Sequence, residues 1–533
     1  MSGAGAVESV NGTTGGEGSR GDRSPGPWEA AAHRRRRRRP LAAAVLALSL
    51  LGGTALPAAL APPAQALGEE DDGWLPNLIS PEQEAQIGAQ QHDQIVAQYG
   101  GVYDDSALGA YVAQIGSRLA AASGTGADSY TFTVLDSPII NAFALPGGYV
   151  YVTRGLLALA NNEAELAGVI AHEMGHVIAR HGSERMSRGM IAELGTAILG
   201  SVFDSPIAGS LAQTGAGLWL SGYSRDQERE ADSLGLDYMR RAGYPPIAVG
   251  AFLGTMGQME ELQQKLGKGG GGGFALMATH PQNAERVEAA VAQAGGNTDA
   301  AWQGPLGFGR TAYLNRIDGM VYGDGPNQGY VRGNRFEHPE LRIAFSVPDG
   351  YGLTNTPEAV LIKGPGNAQG VFDSDPRRNP TPAGGDPLVY IRDVWAPQQQ
   401  VKGLERVQIN GQPGATGLVD LRTRSGAQTV RLVVVRANDA FYRFQFSAPY
   451  NQAGATDPAF EQIARSFRIL SAAEAGRIEP LRLRVVPVQG GDSSASLAAQ
   501  SALEAPKVDR FRVLNGLRAG EEIAPGERVK TVM

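Results

Sequence analysis

Apolar and polar positions along the chain divide it into three stretches with different periods. In the first, the apolar residues recur every three to four positions. Leu108, Tyr111, Ile115 and Leu119 share one helical face within 103–122. Residues 80–100 form another predicted helix. It opens with Ser80-Pro81-Glu82-Gln83, a capping box with proline at the first helical position. Tyr130 to Leu135 alternates like a strand, and Ile139 to Leu145 and Tyr149 to Thr153 flank a Pro-Gly-Gly turn. A third helix starts at Asn162 as N-cap, with Glu165 three residues on and Leu166, Val169 and Ile170 as its core positions.

Residues 190–220 are apolar but interrupted by Asp204, Pro206 and several glycines. Such a stretch cannot span a bilayer and is expected in a core or a lid. Lys268 then precedes five glycines, Gly269 to Gly273, a composition that gives a flexible segment. From about 335 the period changes to two. Leu341 to Val347, Leu388 to Trp395, Val430 to Arg436 and Phe441 to Phe446 are expected strands, the last two joined as a hairpin through Ala437-Asn438-Asp439-Ala440. One helix follows, with Asp457 as its cap and Pro458 at its first position, ending near Arg465. A strand at Leu483 to Val488, a helical stretch at Phe511 to Leu517 and Ile523 to Val529 complete the pattern.

The candidate chemistry lies on the third helix, in His172-Glu173-Met174-Gly175-His176. On a helix the two histidines stand four residues apart on one face and can reach one metal ion. Glu173 is placed to act on a water bound to that ion. A catalytic zinc commonly takes three protein ligands and keeps one position open. A third histidine ten residues after the first is absent, because Gly182 stands there and Ala179 stands where a glycine would be expected. His181 falls one place early and is expected to cap the helix or face solvent. The better third ligand is Glu228, in the helix-like run Arg225-Asp226-Gln227-Glu228-Arg229-Glu230-Ala231-Asp232. Glu228 and Asp232 share a face, so Glu228 can bind the metal while Asp232 orients a ligand from behind.

HExxH followed by ExxAD resembles the gluzincin metallopeptidases that include the CAAX-prenyl proteases, the HtpX-type membrane proteases and their soluble periplasmic relatives. The resemblance spans roughly residues 78–290. It takes in Asn141-Ala142-Phe143-Ala144-Leu145-Pro146-Gly147-Gly148, Ser224-Arg225, Thr279-His280-Pro281 and Arg286. It implies a zincin-like domain, endopeptidase activity, one Zn2+ per chain, and His172, His176 and Glu228 as ligands. Asn141, Ala142 and Phe143 would belong to the edge strand that pairs with an extended peptide, and Arg286 is a further substrate-binding candidate. His280, in a motif that lies near the active site in soluble relatives, is a candidate fourth ligand and regulator. The membrane-embedded branches have several transmembrane helices, and this chain departs from them.

At 533 residues the chain has room for about three domains, and 42% hydrophobic residues permit sizeable cores. It has no cysteine, which excludes disulfides, thiolate metal sites and cysteine nucleophiles. Arg34 to Arg39 precede an apolar run, Leu41 to Leu51, and then small residues ending Ala64-Gln65-Ala66. This is the pattern of an export signal cleaved after Ala66, with a single membrane anchor as the alternative. Removing the eight Arg and four acidic residues of 1–66 from the 47 basic and 54 acidic residues leaves 39 against 50, a net of −11. That balance offers nothing to nucleic acid.

The expected organisation is a signal segment with a disordered basic region (1–66), a metallopeptidase domain (67–310), a linker (311–334), an α+β domain (335–472) and a terminal module (481–533). The fold class is α+β: a mainly helical domain with a small sheet, then a β-rich α+β domain that vaguely resembles the PsbP/Mog-like fold, then a small β-α-α-β module. That module resembles LysM, which would imply peptidoglycan as a partner. The lead functional expectation is a periplasmic zinc endopeptidase acting on misfolded envelope proteins. The alternative is an envelope chaperone, scaffold or peptidoglycan-binding protein with a largely latent zinc site.

Overall fold

Ser80 opens the first helix as its sequence predicts. Its hydroxyl accepts the Gln83 N–H at 3.3 Å, and the Gln83 side chain accepts the Ser80 N–H at 2.8 Å. The computed structural model describes residues 79–187 and 222–266, a few positions between 276 and 292, and 308–533 with short gaps at 376, 378–382, 424–425 and 519. The signal segment 1–66, the whole apolar stretch 190–220, the pentaglycine and Arg286 lie outside the described residues.

The peptidase region begins with α1 (Pro81–Gln98) and α2 (Ser106–Ser123). A three-stranded sheet follows, β1 (Thr131–Leu135), β2 (Ala142–Leu145) and β3 (Tyr149–Thr153), in the order β1-β3-β2. β1 runs parallel to β3 and β2 antiparallel to it. The Pro-Gly-Gly turn needs its glycines. Gly148 has φ +84, and a Cβ there would lie 2.0 Å from the Ser129 carbonyl oxygen. The short α3 (Arg154–Leu159) leads into α4 (Glu163–Ile178), the HExxH helix.

Two further helices, α5 (Arg225–Arg241) and α6 (Ile247–Lys265), pack on α4. Small residues set how close α5 comes. A Cβ on Gly175 would stand 2.8 Å from the Ala231 carbonyl oxygen, and one on Gly235 would stand 3.1 Å from the His172 nitrogen. The Gly of HEMGH and the Ala of ExxAD therefore let the two backbones touch. That contact brings Glu228 within reach of both histidines.

Residues 311–334 are not a linker. They contain most of α7 (Arg310–Ile317), whose Tyr313, Leu314 and Ile317 are buried, and β4 (Tyr330–Arg332). The Tyr313 hydroxyl donates to the Leu157 carbonyl at 2.6 Å. The fully buried Arg154 reaches Asp136 at 2.6 Å and the Val321 carbonyl at 2.7 Å, which fastens the stretch expected as a linker to the peptidase region.

The α+β region has two antiparallel sheets. The small one pairs β4, β5 (Arg335–His338), β6 (Ile343–Ser346) and later β14 (Arg468–Ile469). The large one has seven strands: β7 (Gly352–Asn355), β8 (Val360–Lys363), β9 (Gln369–Ser374), β10 (Lys402–Ile409), β11 (Gln412–Thr423), β12 (Gly426–Ala437) and β13 (Ala440–Pro449). Their order is β10-β11-β12-β13-β9-β8-β7. The hairpin between β12 and β13 turns on Asn438 and Asp439, both at positive φ, as a two-residue hairpin loop requires.

Two expectations fail in this region. Leu388 to Trp395 is helical, because Asp386 caps it, Pro387 starts it, and Tyr390, Ile391 and Trp395 are buried together rather than alternately. Helix α8 (Ala453–Arg465) begins a turn before Asp457. Asp457 does not cap it but pairs with the buried Arg431 of β12.

The last segment follows the order β15 (Leu483–Pro487), α9 (Ser494–Gln500), α10 (Lys507–Leu514), β16 (Arg528–Val532), with the two strands antiparallel. It is not a separate module. Leu483, Leu497, Phe511, Leu514 and Val529 belong to the same apolar core as Leu156, Leu166 and Tyr313. Its first strand continues into the supposed linker, with Leu483 donating to the Met320 carbonyl and accepting from Gly319, both at 2.8 Å.

Candidate metal centre

Helix α4 starts where Asn162 accepts the Glu165 N–H at 2.9 Å, while Glu165 accepts the Asn161 N–H at 2.8 Å. Ten residues on, the register turns His172 and His176 to one face. Their Nε2 atoms are 3.1 Å apart. Helix α5 starts at a second capping box, Ser224 with Gln227. Glu228, in its first turn, lies 3.5 Å from His172 Nε2 and 3.4 Å from His176 Nε2.

His280 completes the cluster. Its Nδ1 is 2.9 Å from Glu228 Oε1 and 3.2 Å from His172 Nε2. The donor atoms of His172, His176, Glu228 and His280 all lie within 4.8 Å of one another. Ligand atoms at about 2.0–2.2 Å from a tetrahedral zinc stand about 3.3 Å apart, so these separations fit such a sphere. The donor chemistry, three imidazoles and one carboxylate, also suits that ion.

Behind each histidine stands a second group. His172 Nδ1 meets Asp232 at 2.9 Å. His176 Nδ1 meets His181 Nδ1 at 2.9 Å, and His181 Nε2 meets Glu230 at 3.2 Å. With His176 Nε2 turned to the cluster, its Nδ1–H donates to His181, whose Nε2–H donates to Glu230. Tyr223 stacks on the His176 ring at 3.8 Å between centroids, and Arg185 lies over Tyr223 at 4.0 Å. The His172 and His176 rings are thus held in orientation.

His181 was expected at a helix cap or in solvent, but it is 2% exposed. Arg180 is the cause: at φ +58 it reverses the chain, and its guanidinium is held by Glu84 at 2.7 Å. His181 starts a new helical segment that points back to His176. The sequence carries little signal for this. Glu230 and Tyr223 were also missed, although both adjoin a recognised motif.

The electrostatics follow from putting three imidazoles and several carboxylates out of water. Burial works against a charge on His172, but Asp232 and Glu228 outweigh it and hold its pKa up to about 10. Burial, joined by the neighbouring His172 and His280 and opposed by Glu228, pushes His176 well below the usual range. Burial would raise Glu228, yet hydrogen bonds from His172, His176 and His280 hold it far below the ordinary carboxylate. Glu228 therefore stays ionised in the middle of the imidazole cluster.

Glu173 is 1% exposed on the same face and lies 3.3 Å from His280 Nε2. Asn141 and Phe143 turn inward: the Asn141 amide donates to the Tyr99 hydroxyl at 3.1 Å, and Phe143 stacks on Tyr151 at 4.9 Å. β2 is the edge strand of its sheet, but Ala142 to Leu145 are all buried.

Residues 106–294 match the sequence model of Peptidase family M48, a span that includes all four residues of the cluster. Over 217 residues the chain is 30% identical to the mitochondrial metalloendopeptidase OMA1 of Schizosaccharomyces pombe, covering 40% of this chain and 61% of that protein. Over 191 residues it is 32% identical to the beta-barrel assembly-enhancing protease of Escherichia coli (strain K12), covering 33% of this chain and 38% of that protein. The chain therefore spans less than two thirds of either relative. The solved structure of PsbP from Synechocystis aligns with 27% of this chain at 15% identity, with a TM-score of 0.20. Residues 106–294 are thus similar in sequence to Peptidase family M48 and to these proteases, a similarity that implies a metal, typically zinc.

Proposed function

We propose that this chain is a zinc-dependent endopeptidase of the bacterial cell envelope that hydrolyses peptide bonds of misfolded envelope proteins. The observation that carries the proposal is the His172–His176–Glu228 corner with Glu173 on the same helix. In this reading His172 and His176 bind one Zn2+ per chain through Nε2, and Glu228 binds it through its carboxylate. Asp232 holds the His172 ring. When bound, zinc acidifies a water and polarises the scissile carbonyl. Glu173 accepts the proton of that water and passes it to the leaving amine. Its burial keeps competing solvent away from the transfer.

His280 is the proposed latch. Its Nδ1 takes the fourth corner of the cluster, where an attacking water would otherwise stand. Substrate or a partner protein moves it aside. The buried edge of β2 fits the same latent state, since an extended peptide pairs there only after the cover shifts. Arg286 or the displaced His280 would face the developing oxyanion.

The E. coli relative's name places it in β-barrel assembly, which supports an envelope setting. No helix among the described residues is long and apolar enough to cross a membrane. The 1–66 pattern supports export to the periplasm with cleavage after Ala66. Protein substrates are the proposed partners. Any peptidoglycan contact through 481–533 would be made by a segment packed into the peptidase core.

The test compares the envelope proteins retained by Glu173→Gln with those retained by wild type, alongside metal analysis. Glu173→Gln keeps one zinc and loses at least roughly a hundredfold in rate, the scale of a general base. His172→Ala, His176→Ala and Glu228→Ala each lose zinc. Unchanged zinc in Glu228→Ala would refute its role as third ligand.

A further inference from the structure

The α+β region holds a half-open cavity of about 130 Å³ where β11, β12 and β13 meet the first two turns of α8. Leu418 of β11, Ala448 of β13 and Phe460 of α8 give it apolar walls. Phe446 stacks on Phe460 at 4.7 Å between centroids and fixes that wall. The polar end of the cavity is Arg431 of β12 with Asp457 of α8. The buried Arg431 donates two N–H bonds to the Asp457 carboxylate and a third to the Thr416 hydroxyl at 3.0 Å.

Folding alone does not call for two features of this cavity. A buried ion pair stabilises a fold little compared with an apolar pair of equal volume. Placed at the end of an apolar cavity, the Arg431–Asp457 pair fits a ligand with an apolar body and a polar tip. The second feature is the exposed Gly454, in the first turn of α8. Its φ is not positive, and a Cβ there would meet nothing within 4 Å. Glycine weakens a helix relative to alanine, yet neither the backbone nor the packing requires it here. With Ala453 it lines the cavity and leaves the mouth open.

We propose that this cavity is a binding site for a tyrosine side chain of a partner protein. Size sets the ring, since an apolar cavity of about 150 Å³ takes one benzene ring. Asp457 sets the hydroxyl. A carboxylate offers about four acceptor positions and Arg431 takes two, so a phenol O–H can donate to Asp457. Charge excludes the ionic side chains. Arg431 repels a second cation, while Asp457 and Glu461, the latter 3.5 Å from Arg431, repel an anion. The ring comes on a larger chain because burying one ring recovers less free energy than a free molecule loses on being immobilised. The site uses no residue of the metal centre and does not depend on the peptidase reading.

The test uses full-length Glu173→Gln, so that no probe is cleaved. It is titrated with short blocked fluorescent peptides, identical except for a central Tyr, Phe, Leu, Lys or Asp, and with N-acetyl-tyrosinamide as a competitor. The Tyr peptide binds roughly tenfold tighter than the Phe peptide, the scale of one hydrogen bond to a charged group. The amide binds more weakly than the Tyr peptide. Adding Gly454→Leu closes the mouth from an exposed helical position, so the melting temperature holds and the tyrosine binding is lost. Adding Asp457→Asn removes the preference for Tyr over Phe. No binding of the Tyr peptide, equal binding of the Tyr and Phe peptides, tightest binding of the Lys or Asp peptide, or tyrosine binding that survives Gly454→Leu overturns the proposal. An amide that binds as tightly as the Tyr peptide marks a site for a small phenol and overturns the assignment to a partner protein.

Discussion

Replacing Lys530 by Met tests whether the terminal segment is part of the peptidase. Lys530 lies on β16 and has no exposed surface. Its Nζ donates to the carbonyls of Ala158, Leu159 and Ala160 at 2.8, 3.1 and 2.7 Å. These carbonyls lie at the C-terminal end of α3, directly before α4, and the Leu159 one also accepts the Asn161 amide at 3.2 Å. Burial pulls the Lys530 pKa down, but three acceptors call for three N–H donors, which only the ammonium supplies. Its charge also acts on Glu165, whose own pKa burial pushes up to about 7 against the Asn161 N–H and that lysine. Methionine keeps most of the stem volume and removes every one of these bonds. An orphaned buried carbonyl costs about 1–3 kcal/mol. Relief from burying the ammonium offsets part of the loss, leaving about 3–5 kcal/mol, the scale of breaking a buried charged contact. For a domain of this size that is a fall in Tm on the order of 10 °C. The assay is thermal unfolding of zinc-loaded protein with parallel metal analysis. The control is Arg484→Ala, whose ion pair with Asp318 is half exposed and should matter by less than about 1 kcal/mol. If Lys530→Met melts within about 2 °C of wild type, the terminal segment is an appendage and the reasoning fails.

Three further outcomes are expected. His280→Ala raises basal proteolysis, self-cleavage included, without loss of zinc; lower activity at normal zinc content would end the latch idea. His338 is buried in the small sheet and held at about 4 by that burial, against an ordinary value of 6.5. The unfolded chain therefore binds the proton first, so the α+β region loses stability as pH falls from 6.5 towards 4, by about 3 kcal/mol in all; denaturant midpoints at pH 7 and 4.5 measure it, and an unchanged slope in His338→Gln refutes the assignment. N-terminal sequencing of the protein from the envelope fraction finds Leu67 first, whereas an intact 1–66 segment would mean a membrane anchor.

The sequence alone determined what depends on neighbours a turn or two away. The helix starts at Ser80, Asn162 and Ser224, the Gly-Gly turn and the Asn438-Asp439 hairpin are local bargains between side chain and backbone, and each is read from a few adjacent letters. The pairing of His172 with His176 is of the same kind, since helical pitch alone puts them together. Alternation was a weaker guide: Leu388 to Trp395 reads as a strand, but the Asp386 cap and burial on one side made it a helix. What brings Glu228 to the histidines is the close α4–α5 crossing at Gly175, Ala231 and Gly235, a contact between distant stretches. His181 joined the centre only because Arg180 takes a left-handed turn braced by Glu84, nearly a hundred residues away in the chain. The same holds for residues 311–334 and 481–533. Their short, mildly apolar runs bury too little on their own, and only against α2, α3 and α4 does their surface leave water. Lys530 shows why such a fate is unreadable in one dimension. A lysine in a terminal strand is expected in solvent, and the three carbonyls that hold it inside become a site only after α3 and β16 have met.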